Sequence, residues 1–153
     1  MPAGILWSST IRPIRRGPIM RTAGCCCGSL RVDTTGEPAN VVACHCRECQ
    51  RRTGAPFGVG VYFPKERVRT EGPSKEYVRD GQEGRKLRFH FCPDCGTTVY
   101  WFYDRGPDRI GIALGAFADP SFPRPTRSVW EEAQHSWVAF EHELGHFPSN
   151  PPG

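Results

Sequence analysis

Leu87-Arg88-Phe89-His90-Phe91-Cys92-Pro93-Asp94-Cys95-Gly96 is the stretch from which the fold can be read. Leu87, Phe89 and Phe91 alternate with Arg88 and His90, the period-2 pattern of a half-buried strand, and that strand runs straight into a Cys-Pro-x-Cys-Gly turn. Pro presets such a turn and Gly permits positive φ behind it. An aromatic run at 97–103 leaves the turn as a second strand, so the pair reads as a hairpin with two sulfurs at its tip.

Two sulfurs need partners, and the rest of the chain offers two sets. Cys25 and Cys27 are two residues apart, as are Cys44 and Cys46, with Cys49 completing a C-x-x-C. In extended backbone, residues i and i+2 project to one side, so each close pair presents two sulfurs together, and Cys26 and His45 point away. Joining Cys25 and Cys27 to Cys92 and Cys95 gives four thiolates, which close the tetrahedron that Zn²⁺ prefers. The remaining set, Cys44, Cys46 and Cys49, has only three and leaves a vertex for water or substrate. The reading is two zinc ions per chain, one a staple and one able to do chemistry.

The eight cysteines are also even in number, the signature of a disulfide framework. Such frameworks belong to small secreted chains, and the opening residues lack a secretory signal: Arg12, Arg15 and Arg16 follow the short apolar run at 4–7 instead of preceding it. No run approaches the roughly 18 apolar residues of a membrane span, so the expectation is a soluble, cytoplasmic protein. Cys26, the odd thiol, is expected to be a small buried hydrophobe.

The length of 153 residues suits one domain with a sizeable core. Its 17 Gly and 15 Pro, interspersed with aromatic and β-branched residues, favour many short strands. Further strands are expected at 59–63, 74–79 and 109–117, and a short helix at 47–53 stopped by Gly54 and Pro56, with Cys49 on its first turn. Three units are expected: a flexible basic extension at 1–21, a zinc-binding domain at 22–140 and a disordered Pro-rich tail at 141–153. Met20 is read as an alternative start of translation.

The net charge of +4 matches the four arginines Arg12, Arg15, Arg16 and Arg21, because the remaining 16 basic residues balance all 16 acidic ones, so the core is neutral. A nucleic-acid face would need a basic surface on the folded part. His45 is expected to be structural, because alternation turns it from the metal, and His90 to face solvent or be satisfied by hydrogen bonds. His135 is no firm candidate, and His142 and His146 read as tail residues. Trp130, Trp137, Phe117 and Phe122 are expected mainly in core packing, with a cavity wall as the alternative.

The blocks Gly24-Cys25-Cys26-Cys27-Gly28, Cys44-His45-Cys46-Arg47-Glu48-Cys49-Gln50-Arg51-Arg52-Thr53-Gly54-Ala55 and Phe91-Cys92-Pro93-Asp94-Cys95-Gly96 resemble the signature of the glutathione-dependent formaldehyde-activating enzyme family, which includes centromere protein V. The resemblance spans about 22–140. It implies a mainly β, Mss4-like (β-tent) fold of small antiparallel sheets with zinc knuckles and little helix. It places a structural zinc on Cys25, Cys27, Cys92 and Cys95 and a catalytic zinc on Cys44, Cys46 and Cys49. The implied activity is that of a zinc-dependent carbon–sulfur lyase, S-(hydroxymethyl)glutathione synthase, which joins formaldehyde to glutathione. The partners are then glutathione or another small thiol and an electrophile. Since glutathione carries two carboxylates, Arg47, Arg51 and Arg52 are candidate substrate contacts, with Thr53 and Gly54 at the pocket rim. Ser128-Val129-Trp130 departs from the His-hydrophobic-Trp element common in the family. The centromere relative implies an alternative, a non-enzymatic zinc module contacting nucleic acid or protein.

Overall fold

A computed structural model describes residues 17–81 and 84–151. The fold is mainly β. Strands β1 (Met20–Gly24), β2 (Arg31–Thr35) and β5 (Val68–Glu71) form an antiparallel three-stranded sheet in the order β1-β2-β5. The other strands are β3 (Asn40–Cys44), β4 (Gly58–Pro64), β6 (Lys75–Asp80), β7 (Lys86–Phe91), β8 (Thr98–Tyr103), β9 (Arg109–Ala113), β10 (Arg127–Val129) and β11 (Gly145–Phe147). They make an eight-stranded sheet in the order β11-β10-β3-β4-β9-β8-β7-β6, antiparallel except where β10 pairs parallel with β3 and β11.

Alternation divides the larger sheet into two functions. Val41 and Ala43 of β3, Val61 and Phe63 of β4, and Ile110 and Ile112 of β9 are buried. Most of them pack in one core with Ala23, Leu30 and Val32 from the smaller sheet. Their neighbours in sequence, among them Val42, Cys44, Gly60 and Tyr62, face a cavity on the opposite side. Register aligns these cavity residues across strands, with Cys44 opposite both Gly58 and Val129. Gly60 is needed there, because a Cβ on it would lie 2.9 Å from the Trp101 ring.

The hairpin at Cys92 forms as expected, with cross-strand pairs Phe89–Trp101 and His90–Tyr100, the latter stacked at 4.6 Å. The helix α1 (Arg47–Thr53) ends at Gly54, whose φ of 66° is the left-handed cap that glycine accepts. Several expectations are corrected. The strand at 109–117 stops at Ala113, and Leu114–Phe117 turns into a 3-10 helix. Cys26 is exposed, because its side chain stays outside the four-sulfur group that Cys25 and Cys27 join.

At the N-terminus, Met20 and Arg21 belong to β1, and Arg21 is fixed by hydrogen bonds to the Gly36 carbonyl and Glu37. Arg12, Arg15 and Arg16 lie outside the described residues. At the C-terminus, part of the expected tail is ordered: Gly145–Phe147 is β11, and the Trp130 amide donates to the Ser149 carbonyl. Backbone hydrogen bonds hold this segment, and they require no apolar periodicity. Among the described residues, no helix is long and apolar enough to cross a membrane.

Candidate metal centres and the cavity between them

Cys25, Cys27, Cys92 and Cys95 come together with all four sulfurs within 4.8 Å of one another. The pairs sit in the β1–β2 and β7–β8 connections, so the cluster ties the smaller sheet to the larger. Cys25 and Cys92 are buried within the core. Backbone and hydroxyl donors support negative charge here: the Leu30 amide donates to Cys25 Sγ at 3.2 Å, and Cys95 Sγ lies 3.2 Å from the Thr97 hydroxyl. That hydroxyl and nearby backbone amides pull the Cys95 thiol down to about 5. All eight cysteines are free thiols.

Cys44, Cys46 and Cys49 form the second cluster, also within 4.8 Å. Cys44 is the last residue of β3, Cys46 the N-cap of α1 and Cys49 its third residue. The Cys46 sulfur accepts from the Cys49 amide at 3.4 Å, so the helix start locks the spacing. Hydrogen bonds from the Cys44 and Cys49 thiols hold Cys46 far below the ordinary thiol range, and the bond to Cys46 pushes Cys44 up. One thiolate is thus stabilised at the expense of its neighbours. Ionising all three requires a cation among them, and three close sulfurs are the donor set of a soft divalent ion such as zinc.

The two clusters differ in surroundings. The three-cysteine cluster opens into a cavity of about 1150 Å³ over the larger sheet, whereas none of the four other sulfurs lines it. Beside it lies a second cavity of about 410 Å³, and Glu48, Cys49, Arg52, Arg79 and Phe89 line both. Tyr62 projects into the larger one. Burial, reinforced by Tyr103 and Cys44, raises its phenol above the ordinary range, and the Trp101 indole donates to it.

The expected substrate contacts separate. Arg51 is exposed and engaged by Glu48 at 2.6 Å, and Arg47 is exposed and lines neither cavity. Thr53 donates to the Cys49 carbonyl at 2.8 Å and Gly54 caps the helix, so both shape the backbone. Arg51 lines only the smaller cavity, whereas Arg52 reaches both, its guanidinium over the Trp101 ring at 5.0 Å. Sequence reasoning missed Arg79 and Tyr62, which register brings from β6 and β4; the only signal was their alternation with Val78 and with Val61 and Phe63.

His45 is fully buried between Phe57 and Phe140, its Nε2 lying 3.1 Å from the Ser128 hydroxyl. Burial lowers its pKa, which keeps the ring neutral. It faces away from the cavity, in the structural role expected. His90 meets the Ser74 hydroxyl and Glu76. His142 donates to the Pro125 carbonyl and His146 pairs with Glu131 at 2.7 Å, so neither is a loose tail residue. Phe117 and Phe122 pack in the core, whereas Trp137 is 70% exposed and Trp130 lines the cavity.

Gln50, unremarked in the sequence, braces the site. Its amide nitrogen donates to the His45 and Ala133 carbonyls at 2.7 and 3.0 Å, and its oxygen lies 3.1 Å from His135 Nε2. Replacing Gln50 with Ala leaves both carbonyls unpaired, so denaturant unfolding should register a loss of about 1–3 kcal/mol. An unchanged midpoint would mean the bonds are idle.

Comparison with known proteins agrees with this architecture. A crystal structure of a Rhodobacter sphaeroides protein superposes with a TM-score of 0.50 at 20% identity, over 65% of this chain and 91% of that one, which speaks to the fold alone. A Fusarium vanettenii protein named "Putative glutathione-dependent formaldehyde-activating enzyme" is 37% identical over 119 residues, or 71% of this chain. The aligned region spans 63% of that relative's length. The profile described as "Glutathione-dependent formaldehyde-activating enzyme" matches residues 20–133, most of the folded part and both cysteine clusters. By that match, the chain belongs to the glutathione-dependent formaldehyde-activating enzyme family.

Proposed function

We propose that the chain is a zinc-dependent carbon–sulfur lyase that makes or breaks adducts between glutathione, or a similar small thiol, and formaldehyde or another small electrophile. The observation that carries this reading is the contrast between the clusters, four sulfurs tying two sheets together and three opening onto a cavity. Cys25, Cys27, Cys92 and Cys95 would hold a structural zinc, and Cys44, Cys46 and Cys49 a second one. Zinc bound to three thiolates supplies an anchor for a soft sulfur and a Lewis acid for a carbonyl oxygen, and is a poor acidifier of water because the site is net anionic.

The protein residues supply the rest. In the adduct-forming direction, a carbon–sulfur bond forms at the carbonyl carbon and the thiol proton ends on the carbonyl oxygen. The Tyr62 hydroxyl, which burial keeps protonated, is a donor available in the cavity for that oxygen. It would regain its proton from the incoming thiol. Trp101, Tyr103 and Phe89 wall the space and limit competing water.

Turnover of the zinc-loaded protein with a panel of thiols and aldehydes, followed by NMR of the hydroxymethyl signal, tests the reading. Adduct exchange faster than the uncatalysed rate with at least one pair is expected, and fastest with glutathione and formaldehyde. No acceleration with any pair would refute it.

A further inference from the structure

Arg52 and Arg79 arrive from different elements, α1 and β6, and both place their guanidiniums over the Phe89 ring, each at 5.6 Å from its centroid. Arg52 also lies over Trp101. Gly58 leaves the room this needs, because a Cβ there would sit 2.9 Å from Arg52 Nη2. Stacking on an aromatic face pins the flat guanidinium and removes much of the rotamer freedom an arginine would otherwise lose on binding.

Among the described residues, no carboxylate pairs with Arg52 or Arg79, and the acidic groups in the cavity lining are already engaged, Glu48 by Arg51, Asp80 by Lys86, Asp104 by Arg88 and Asp108 by Arg109. Among the described residues, three buried side-chain atoms lack a hydrogen-bond partner, and two of them are the Nε atoms of these same arginines. Two like charges converging on one ring repel each other. The cysteine cluster offsets this only in part: a divalent ion on three thiolates retains one negative charge, and two guanidiniums overbalance it.

We propose that Arg52 and Arg79 form a carboxylate clamp, a specificity-determining subsite that selects thiol substrates bearing a free carboxylate within reach of the three-cysteine cluster. Cys49, Arg52, Arg79 and Phe89 line both cavities, so the clamp stands where the two spaces meet, beside the cluster. A thiol peptide would place its sulfur toward Cys49 and its carboxylate between the guanidiniums, whose forks suit bidentate pairing. Arg51 plays no part, because Glu48 holds it. This deepens the proposed function and rests on it for the identity of the thiol.

Calorimetry with the metal-loaded full chain separates the two ideas. S-methylglutathione retains both carboxylates but no free thiol, so its binding reports the clamp alone. The wild type should bind it at least about tenfold more tightly than its diethyl ester, the effect of one lost charge-assisted hydrogen bond. Arg52→Gln and Arg79→Gln should each erase that preference by weakening the acid form while ester affinity and metal content stay at wild-type values. Arg79→Lys should restore part of it, since the charge remains and the fork is lost. Equal affinity of the wild type for acid and ester overturns the clamp, and this comparison needs no variant to fold. Equal weakening of both ligands in the Gln variants overturns it as well. Discrimination that persists in a protein with no thiol-adduct turnover would leave the clamp standing and remove the proposed reaction; turnover without discrimination would do the reverse.

Discussion

Replacing Cys92 with Ser is expected to unfold the domain outright. Cys92 is completely buried and belongs to the apolar core as well as to the four-sulfur cluster, where its Sγ lies 3.6 Å from that of Cys27. The bond network around it joins the loop after β1 to the turn between β7 and β8, and these belong to different sheets. A structural zinc in a small domain contributes on the order of 10–16 kcal/mol, as much as the whole net stability of about 5–15 kcal/mol for a typical domain. The smaller sheet has only three short strands, so beyond the core it shares with the larger sheet the cluster is its main tie. Circular dichroism of Cys92→Ser should therefore lack a cooperative melt at 25 °C, and a strong chelator should bring the wild type to the same state. A Cys92→Ser protein melting within a few degrees of wild type would mean that apolar packing holds the sheets without the cluster.

How far the sequence could be read follows from the kind of constraint each residue obeys. Cysteine spacing is local and chemical, and both clusters assemble as the spacing implies, because i and i+2 in extended chain and C-x-x-C in a turn leave little freedom. The β7–β8 hairpin was legible for the same reason, from strict alternation around a Pro-Gly turn. Strands β1, β2, β3, β5 and β10 were not singled out: Arg31–Thr35 and Val68–Glu71 are short, polar on one face and recognisable only by their partners. Strand β11 is held to β10 by parallel pairing across a long loop, information that resides in backbone geometry and not in residue type.

The same distinction explains the cavity. Arg51 and Arg52 are equivalent to a reader of the sequence, yet one turns to Glu48 on the exposed side of a two-turn helix and the other lies along an aromatic shelf built by β7 and β8. Arg79 is at least thirty positions away from the three-cysteine cluster and enters the site because β6, the last strand of the larger sheet, lines the same cavity as α1. Sheet order, which no local pattern encodes, decides which charges meet.

Cys49→Ser is the counterpart of the first substitution and should have the opposite profile, with chemistry lost and fold retained. Cys49 lines the cavity and contributes nothing to the apolar core. The contact that starts α1 uses its backbone amide, donated to Cys46 Sγ, and a serine keeps that amide. Serine is a poor ligand for a soft ion at neutral pH, so the variant should bind about one zinc per chain where the wild type should bind about two. Turnover should fall at least about a hundredfold, because loss of a hydrogen-bonding partner to a ligand already costs about 10–100-fold and loss of the ligand itself costs more. The melting temperature should stay within a few degrees of the wild type, since the four-sulfur cluster and the shared core are untouched. Metal analysis, turnover and thermal melting on one preparation separate the possibilities. Full activity with one zinc would place the chemistry elsewhere, and collapse of the fold would make the second cluster another staple. Only the expected combination, with Cys92→Ser behaving in reverse, assigns the two clusters different work.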